Sequence, residues 1–457
     1  MALLAVIVIL LAMTGVSASF IWFMNQQQTQ AGLRLRTAAA MAVAEAGVHR
    51  ALAIIESDAP DGSPGRAWRP SAYSEVLPGA RQSRFTVSIA DDPDGTLLIT
   101  SIGEVGGATR RLRARVFLAS PALLAALHGR SFVRLEQRPA ATFILPYGAG
   151  IGDRPWIHIA AGQGIWFATT EVSINDPSVA FEALPGPVDA PEGANSATTP
   201  PPPGPVRLLL ARGAALTLGR DQRRVEVQQL RPLGVYVEGV VLRSEALPAL
   251  PEVDRAYFQN LAIGNTGNAA LNEVAGQYAG DRGLAGKRDS LYSVEQFERL
   301  QTYLKAGLQP PRLQGVIYVT GKVSILEGQR LHIADGALVA ESTVHLIEGA
   351  SLEITHSATT RTLPGIIVLD NGALVVTQRA QLRVHGLVYA SRVIDVDDGA
   401  RVDVVGAVLG DDRAHSFRNS GATVVIRYDP AVLGTRGLRV PEGARGVAWV
   451  AAWEELR

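Results

Sequence analysis

Six aspartates near the C-terminus form the densest group of metal-binding side chains in the chain. They are Asp395, Asp397, Asp398, Asp403, Asp411 and Asp412. Carboxylate oxygens are the ligands that Ca²⁺ prefers, so the group could hold a calcium ion. The spacing does not match an EF-hand loop, and ordinary solubilising charge explains the same residues. We keep Asp395, Asp397 and Asp398 as candidate metal ligands against that simpler alternative.

Other motifs that would carry catalysis are incomplete. Gly286-Lys287 resembles the end of a phosphate-binding loop, but Asp281 stands where that loop needs glycine and Arg288 where it needs serine or threonine. The residues around Ser131 lack the second glycine of a nucleophile elbow, and no His-Glu-x-x-His occurs. The sequence therefore predicts no catalytic residue and no cofactor.

Two histidines, His332 and His345, each lie between apolar neighbours of a short alternating segment. Alternation places them on the outer face of a strand, where a solvated position is favoured over a metal site. The chain has no cysteine, which excludes disulfides and cysteine-ligated metal. Its 43 basic and 43 acidic residues balance, so we expect no attraction to nucleic acid.

The first 24 residues contain no charged side chain, and a helical pattern continues without proline to about Ser57. At 1.5 Å per residue the apolar part spans roughly 36 Å and the whole helix roughly 85 Å. We expect a transmembrane helix over residues 1–24 that is retained in the mature protein. A cleaved signal peptide and a buried core helix are the alternatives.

Small residues mark two parts of this helix as packing surfaces. Ala12, Gly15, Ser17 and Ala18 would let another helix approach closely in lipid. Further on, apolar residues recur at three- and four-residue steps and form one stripe, which must be buried. The stripe comprises Ala40, Val43, Ala44, Gly47, Val48, Ala51, Leu52 and Ile55.

The next segment predicts an antiparallel meander of three strands. Asp91 to Gly95 is a turn between two alternating segments, and Gly106-Gly107 is a second turn. The third strand places Arg111, Arg113 and Arg115 on one face. A solvated face is favoured over a nucleic-acid patch, because no aromatic residues are interleaved with the arginines. The apolar face is the expected partner of the helix stripe.

Glycine-led segments repeat in the C-terminal half. They begin at Gly315, Gly336, Gly365, Gly386 and Gly406, at intervals of 21, 29, 21 and 20 residues. Shorter alternating segments lie between them, and Gly-Ala pairs mark expected corners. Strands this short bury their apolar side chains only by stacking on the next repeat, so the pattern predicts a β-solenoid, with a two-sheet sandwich as the alternative.

The predicted fold class is α+β: a long N-terminal transmembrane helix with a small antiparallel meander, followed by a β-solenoid (β-helix) that a helical insertion interrupts. The expected segments are the transmembrane helix 1–24, its amphipathic extension 25–57, the meander 58–120, the first part of the solenoid 121–247 with a Pro-rich loop 185–205, the helical insertion 248–313, the second part of the solenoid 314–430 and a C-terminal cap 431–457 that covers the last repeat.

These features together resemble a known family. The charge-free start, the Ala-Glu-Ala-Gly motif at residues 44–47, the strand and turn at residues 100–111 and the closing Ala-Trp-Glu-Glu-Leu are similar to PilX-type pilus assembly proteins, which are minor pilin-like subunits of type IV pili. The resemblance implies an inner-membrane subunit that packs its helix among other pilin helices. Ala5 stands where major pilins carry glutamate, which favours a minor subunit, and we expect a basic leader upstream of Met1 or already trimmed.

The function we expect is therefore non-enzymatic: a minor pilin-like subunit for assembly of a type IV pilus or related secretion filament, anchored in the inner membrane with its C-terminal part periplasmic or in the pilus. Its expected partners are pilin-like subunits, the lipid bilayer and a possible surface glycan or other adhesion ligand. A membrane-anchored polysaccharide-active enzyme and a stand-alone adhesin are the alternatives.

Overall fold

The computed structural model divides into two compact units, residues 1–118 with 448–457 and residues 119–447. The described residues are 2–57, 68–77, 83–92, 96–136, 141–146, 157–167, 172–174, 208–218, 222–226, 241–244, 247–306, 312–357, 363–429, 432–441 and 447–456. The chain is mixed α+β, with a long N-terminal apolar helix and extensive parallel and antiparallel sheets, as the sequence predicts at that level. The Pro-rich loop 185–205 lies outside the described residues.

The first unit begins with one uninterrupted helix, α1 (Ala2–Glu56). The antiparallel strands of this unit are β1 (Tyr73–Val76), β2 (Ser83–Asp91), β3 (Leu97–Val105) and β4 (Ala108–Ala119). The Gly106-Gly107 turn joins β3 to β4, and both of its glycines have positive φ. Strands β2, β3 and β4 pair as the turn signals predict.

One core holds this unit together. The buried residues of the helix stripe, from Val43 to Ile55, pack against the apolar faces of β2, β3 and β4. The three strands contribute alternating positions, such as Phe85, Ile99 and Leu112. Because successive side chains of a strand point to opposite faces, the arginines of β4 lie on the other side.

The C-terminal strand, β32 (Val447–Leu456), joins this same sheet, in the order β1-β2-β3-β4-β32. Part of the segment that the sequence predicts as a cap on the last repeat is therefore an edge strand beside β4 instead. Its glutamates pair with arginines of β4, since Arg113 lies 3.7 Å from Glu454 and Arg110 lies 3.5 Å from Glu455. Sequence periodicity could not show this pairing, because more than 300 residues separate the two strands.

The second unit contains the predicted helical insertion. Its helices are α2 (Arg255–Gly264), α3 (Ala269–Ala279), α4 (Arg282–Ala285) and α5 (Val294–Ala306). Helix α5 begins with a capping box, as its sequence suggests: the Gln296 amide donates to Ser293 Oγ, and the Ser293 amide donates to Gln296 Oε1.

Most of the second unit is short strands. The N-terminal group is β5 (Ala125–Gly129), β6 (Phe132–Glu136), β7 (Ala141–Pro146), β8 (Ile157–Ala161), β9 (Gly164–Phe167), β10 (Val172–Ile174), β11 (Leu208–Ala211), β12 (Ala215–Leu218), β13 (Arg223–Arg224), β14 (Val241–Ser244), β15 (Glu252–Val253) and β16 (Leu291–Tyr292). The C-terminal group is β17 (Arg312–Gln314), β18 (Ile317–Val319), β19 (Val323–Ile325), β20 (Arg330–Ala334), β21 (Leu338–Ala340), β22 (Val344–Leu346), β23 (Ser351–Thr355), β24 (Ile366–Val368), β25 (Leu374–Val376), β26 (Gln381–Ala390), β27 (Ile394–Asp397), β28 (Arg401–Gly410), β29 (His415–Ser420), β30 (Thr423–Tyr428) and β31 (Leu438–Arg439).

These strands form parallel ladders at the spacing of the sequence repeat. In one ladder Ile317 pairs with Leu338, and Leu338 pairs with Ile366. In the strands β26 and β28, Gly386 pairs directly with Gly406. Apolar side chains from three ladders converge on one interior, whose lining includes Leu374, Val376, Leu382, Val388, Ile394, Val396, Val402, Val404, Val408, Phe417 and Val424.

The order of the repeats differs from the order along the chain. Strand β28 pairs with β5, β29 with β6 and β30 with β7, so the last C-terminal repeat stacks on the first N-terminal one. The sequence analysis expected an insertion that leaves the stack and returns at the same place. Instead, the insertion precedes the far end of the stack, where β16 pairs with β18. The predicted capping of the last repeat by residues 431–457 is therefore replaced by β5, β6 and β7.

The predicted Gly-Ala corners are real turns. Gly349, Gly399 and Gly421 have φ of 73°, 70° and 87°, in the region where glycine carries no steric cost. At the remaining corner the positive φ values fall on Asp370 and Asn371, before the predicted Gly372. Aspartate and asparagine tolerate this conformation better than other side chains, which explains the shift.

Candidate functional site: the apolar helix and its neck

Helix α1 has three parts with different surroundings. In residues 10–24 every large apolar side chain with a described environment is exposed, including Leu11, Val16 and Trp22, at 65–71%. In residues 25–39, which we call the neck, twelve side chains are exposed and three are half-buried. Beyond Ala40 the stripe is buried on the sheet. Only the last part of the helix is covered by the rest of its own unit.

The apolar part satisfies its own polar groups. Thr14 Oγ1 donates to the carbonyl of Leu10 at 2.9 Å, and Ser19 Oγ donates to the carbonyl of Gly15 at 2.9 Å. Every backbone donor within a helix is paired internally as well, which is the condition for crossing a bilayer. Among the described residues, α1 is the helix that is long and apolar enough to span a membrane.

The small residues predicted for packing in lipid lie on an open surface. Gly15, Ser17 and Ala18 are exposed, and a Cβ on Gly15 would meet nothing within 4 Å. The side chain of Ala12 lies outside the described residues. The structure therefore leaves this surface available to another helix, and the packing role of these four residues stays a prediction.

Ala44 and Gly47 pack against the sheet of their own unit. A Cβ on Gly47 would lie 2.3 Å from Ser101 Oγ, so the helix backbone nearly touches β3 there. Gly103 on β3 is an equally tight position, since its Cβ would lie 2.1 Å from the Ala40 carbonyl oxygen. The sequence analysis missed Gly103, although a glycine within an otherwise apolar strand is a signal of close backbone approach.

The C-terminal strand also contacts the helix. The Ala448 amide donates to Glu56 Oε1 at 2.7 Å, and the rings of Trp453 and His49 lie 6.1 Å apart. These contacts join the C-terminal end of α1 to the edge of the sheet, so the docked part of the helix is held from two sides.

The aspartate group does not form a metal centre. Asp395 makes a bidentate ion pair with Arg418, Asp403 binds Arg401 at 2.9 Å, and Asp411 binds Arg130 at 2.9 Å. Among the described residues, no group of three or more histidine, aspartate or glutamate side chains could hold a metal ion. Stacking in register explains the result, because Asp395 lies directly opposite Arg418 on the neighbouring strand. We therefore set aside Asp395, Asp397 and Asp398 as metal ligands.

The two outward histidines are half-buried surface residues. His332 Nε2 lies 3.1 Å from Thr355 Oγ1, and partial burial lowers the pKa of His332 and of His345. Two other histidines, His128 and His356, are buried, and burial lowers the pKa of each to about 4. Sequence reasoning did not single out the buried pair, because their strands are apolar on both faces.

A polar cluster fastens the helical insertion to the ladders. The Tyr318 hydroxyl donates to Glu341 Oε1 at 2.8 Å, and Gln259 Nε2 of α2 donates to the Tyr318 oxygen at 3.3 Å. Arg255 of α2 pairs with both Glu341 and Asp370. Burial, followed by the hydrogen bond to Glu341, raises the pKa of Tyr318 far above its usual range. The arginine bridges the two carboxylates, which suits a structural contact.

Comparison with known proteins gives little beyond this description. The sequence matches no protein-family profile and no curated protein. The chain is similar to the crystal structure of the competence-associated pilin ComZ from Thermus thermophilus, with 12% sequence identity, 92% of this chain and 97% of that chain covered, and a TM-score of 0.24. A TM-score this low carries no inference about the present chain.

Proposed function

We propose that this chain is a membrane-anchored, pilin-like subunit of a type IV pilus or related secretion filament. In this proposal residues 1–24 cross the inner membrane, and the C-terminal part lies in the periplasm or in the pilus. The sequence resemblance to PilX-type proteins supports the narrower assignment to a minor subunit. The role is one of assembly and display, without catalysis.

The observation that carries the proposal is the division of α1. One continuous helix exposes an apolar, charge-free part and buries its other end on an antiparallel sheet of its own unit. An exposed apolar helix of this length is costly in water, so it needs lipid or other apolar helices around it. The free small-residue surface at Gly15, Ser17 and Ala18 suits close approach by such helices.

The second unit would supply the displayed surface. We infer that its three parallel ladders form a β-solenoid, because equivalent residues pair at the repeat spacing and their apolar side chains share one interior. A solenoid presents an extended outer surface to a partner, such as a surface glycan or another adhesion ligand. The carboxylates of its densest acidic group are paired with arginines, which supports a non-enzymatic role.

Disulfide cross-linking tests the proposal directly, because the natural chain has no cysteine. Ala18→Cys places one thiol on the free surface of the apolar part, and Ser88→Cys on β2 is the control on the head. Oxidation of native membranes should join Ala18→Cys to matched single-cysteine variants of co-expressed pilin-like subunits, and Ser88→Cys should give no such product. A chain that remains monomeric at both positions, or that is found without its first 24 residues, would contradict the proposal.

A further inference from the structure

The neck carries two cations that lack an acidic partner. Arg34 and Arg36 are the only charged residues before Glu45. Both are exposed, and neither pairs with an acidic residue in the part of the chain that the structure describes. No aspartate or glutamate lies within four residues of either arginine, so the helix cannot supply an ion pair of its own.

The neck also exposes two leucines, Leu33 at 61% and Leu35 at 75%. Leu33 lies seven residues before the buried Ala40, so it continues the buried stripe beyond the edge of the sheet. A segment of this kind has apolar and charged groups with nothing to cover them. Helices gain most of their stability from packing one face, so the neck is expected to pack against something.

The position of the arginines along the helix excludes lipid headgroups. Arg34 lies ten residues beyond Met24, which is about 15 Å along the axis, and twelve residues beyond Trp22, which is about 18 Å. Trp22 is an exposed aromatic residue of the kind that marks the membrane interface. The headgroup layer extends only about 5–8 Å beyond the hydrocarbon core, and an ordinary tilt of about 20° shortens the distances by little.

A second copy of the chain in parallel register is also a poor occupant. Such a pair would set Arg34 against Arg34 and Arg36 against Arg36, and the first carboxylate of the partner would be Glu45, more than a dozen ångströms farther along the axis. Like charges at close range destabilise association. The complementary surface must therefore carry carboxylates at the level of the neck.

We propose that the neck is the docking surface for a helix of a different subunit, which presents aspartate or glutamate to Arg34 and Arg36 beside an apolar contact with Leu33. The inference rests on the proposed function, because it requires neighbouring helices. It adds the chemistry by which the neighbour is selected: in-register copies of this chain are rejected, and an acidic helix is accepted.

Photo-cross-linking in native cells tests the inference in the full chain. A benzoylphenylalanine at position 33 reports on the neck, and the same group at position 20 reports on the apolar part. Each probe is combined with the double substitution R34E/R36E and with the conservative control R34K/R36K. Neither arginine contacts the head, so all variants should keep the thermal unfolding of the original protein.

The expected adduct at position 33 joins a helix of another subunit at a residue within one turn of an aspartate or glutamate. Its yield should fall at least tenfold in R34E/R36E and stay within twofold in R34K/R36K, while the adduct at position 20 changes less than twofold. A lipid adduct, an adduct to the same chain or an unchanged yield after charge reversal would overturn the inference. An adduct at position 20 without one at position 33 overturns the inference alone, whereas the loss of both overturns the proposed function with it.

Discussion

Replacing Gly103 with alanine should separate the helix from the sheet at their closest contact. The added Cβ would lie 2.1 Å from the Ala40 carbonyl oxygen and 2.5 Å from the Ala44 amide nitrogen. Ordinary contact distances are about 3.5 Å or more, so the backbones must move apart by more than about 1 Å. Both obstructing groups are backbone atoms of a continuous helix, so a simple rotamer change cannot relieve the clash.

The magnitude follows from the packing that this movement disrupts. Overpacking a core costs about 1–3 kcal/mol, and a gap of about 1 Å also forfeits up to half of the dispersion energy across the contact. We expect Gly103→Ala to lower the free energy of unfolding of the first unit by about 3 kcal/mol. For a unit of this size that corresponds to a fall in Tm of roughly 10 °C.

Hydrogen exchange in detergent is the suitable assay, because it reports on the two units separately. Amides of β3 should exchange about a hundredfold faster in Gly103→Ala, while amides of β26 in the second unit keep their rates. The matched control is Gly32→Ala, where a Cβ meets nothing within 4 Å and helix propensity favours alanine by up to about 1 kcal/mol. Unchanged exchange of β3 in Gly103→Ala would refute the close approach of helix and sheet.

Three further predictions concern the remaining contacts. His128 is buried with a pKa of about 4 against an ordinary 6.5, so the folded state resists protonation; stability of the second unit should hold above pH 6.5 and fall towards pH 4, by on the order of 2 kcal/mol at pH 5 from this residue, and His128→Leu should reduce that acid loss in urea titrations at pH 7.5 and 5. Arg379 occupies a positive φ of 63° at a corner where the next repeat has Gly399, so Arg379→Gly should not lower Tm, whereas Gly399→Ala should cost about 1 kcal/mol; equal effects would contradict the corner assignment. Truncation after Val447 removes the Trp453 contact and the edge pairing with β4, so limited proteolysis should cut the first unit faster and leave the second unit unchanged.

The local features of the fold could be predicted from the sequence. The charge-free start, the stripe from Ala40 to Ile55 and the turn at Gly106-Gly107 each depend on residues close together in the chain. The repeat spacing likewise predicts which strands follow one another in the ladders. In all these cases one short-range periodicity, 3.6 for the helix or 2 for the strands, determines which side chains are buried.

The long-range pairings could not be predicted in the same way. The contact of β28 with β5 joins Val408 to Leu127, and the edge position of β32 joins residues far apart in the sequence. An apolar strand of five residues fits any parallel neighbour equally well, so composition does not specify its partner. The order of the repeats is therefore a property of the folded chain that periodicity leaves open.

The candidate site was predictable in part for the same reason. The small residues at Gly15 and Ala18 stand out by type and spacing, and the structure leaves them open. The aspartates near Asp395 stand out equally, but their arginine partners come from neighbouring repeats, as Arg418 does. Gly103 and the two arginines of the neck became informative only when the extent of the sheet along the helix was known.

Thiol accessibility along α1 tests the central claim most directly. Single cysteines at positions 16 and 21, in the apolar part, and at positions 28 and 35, in the neck, are labelled in intact membranes with a membrane-impermeant maleimide. The account predicts protection at 16 and 21 and labelling at 28 and 35 from the periplasmic side. Labelling of all four positions, or a mature chain that lacks residues 1–24 and is recovered in the soluble fraction, would contradict it.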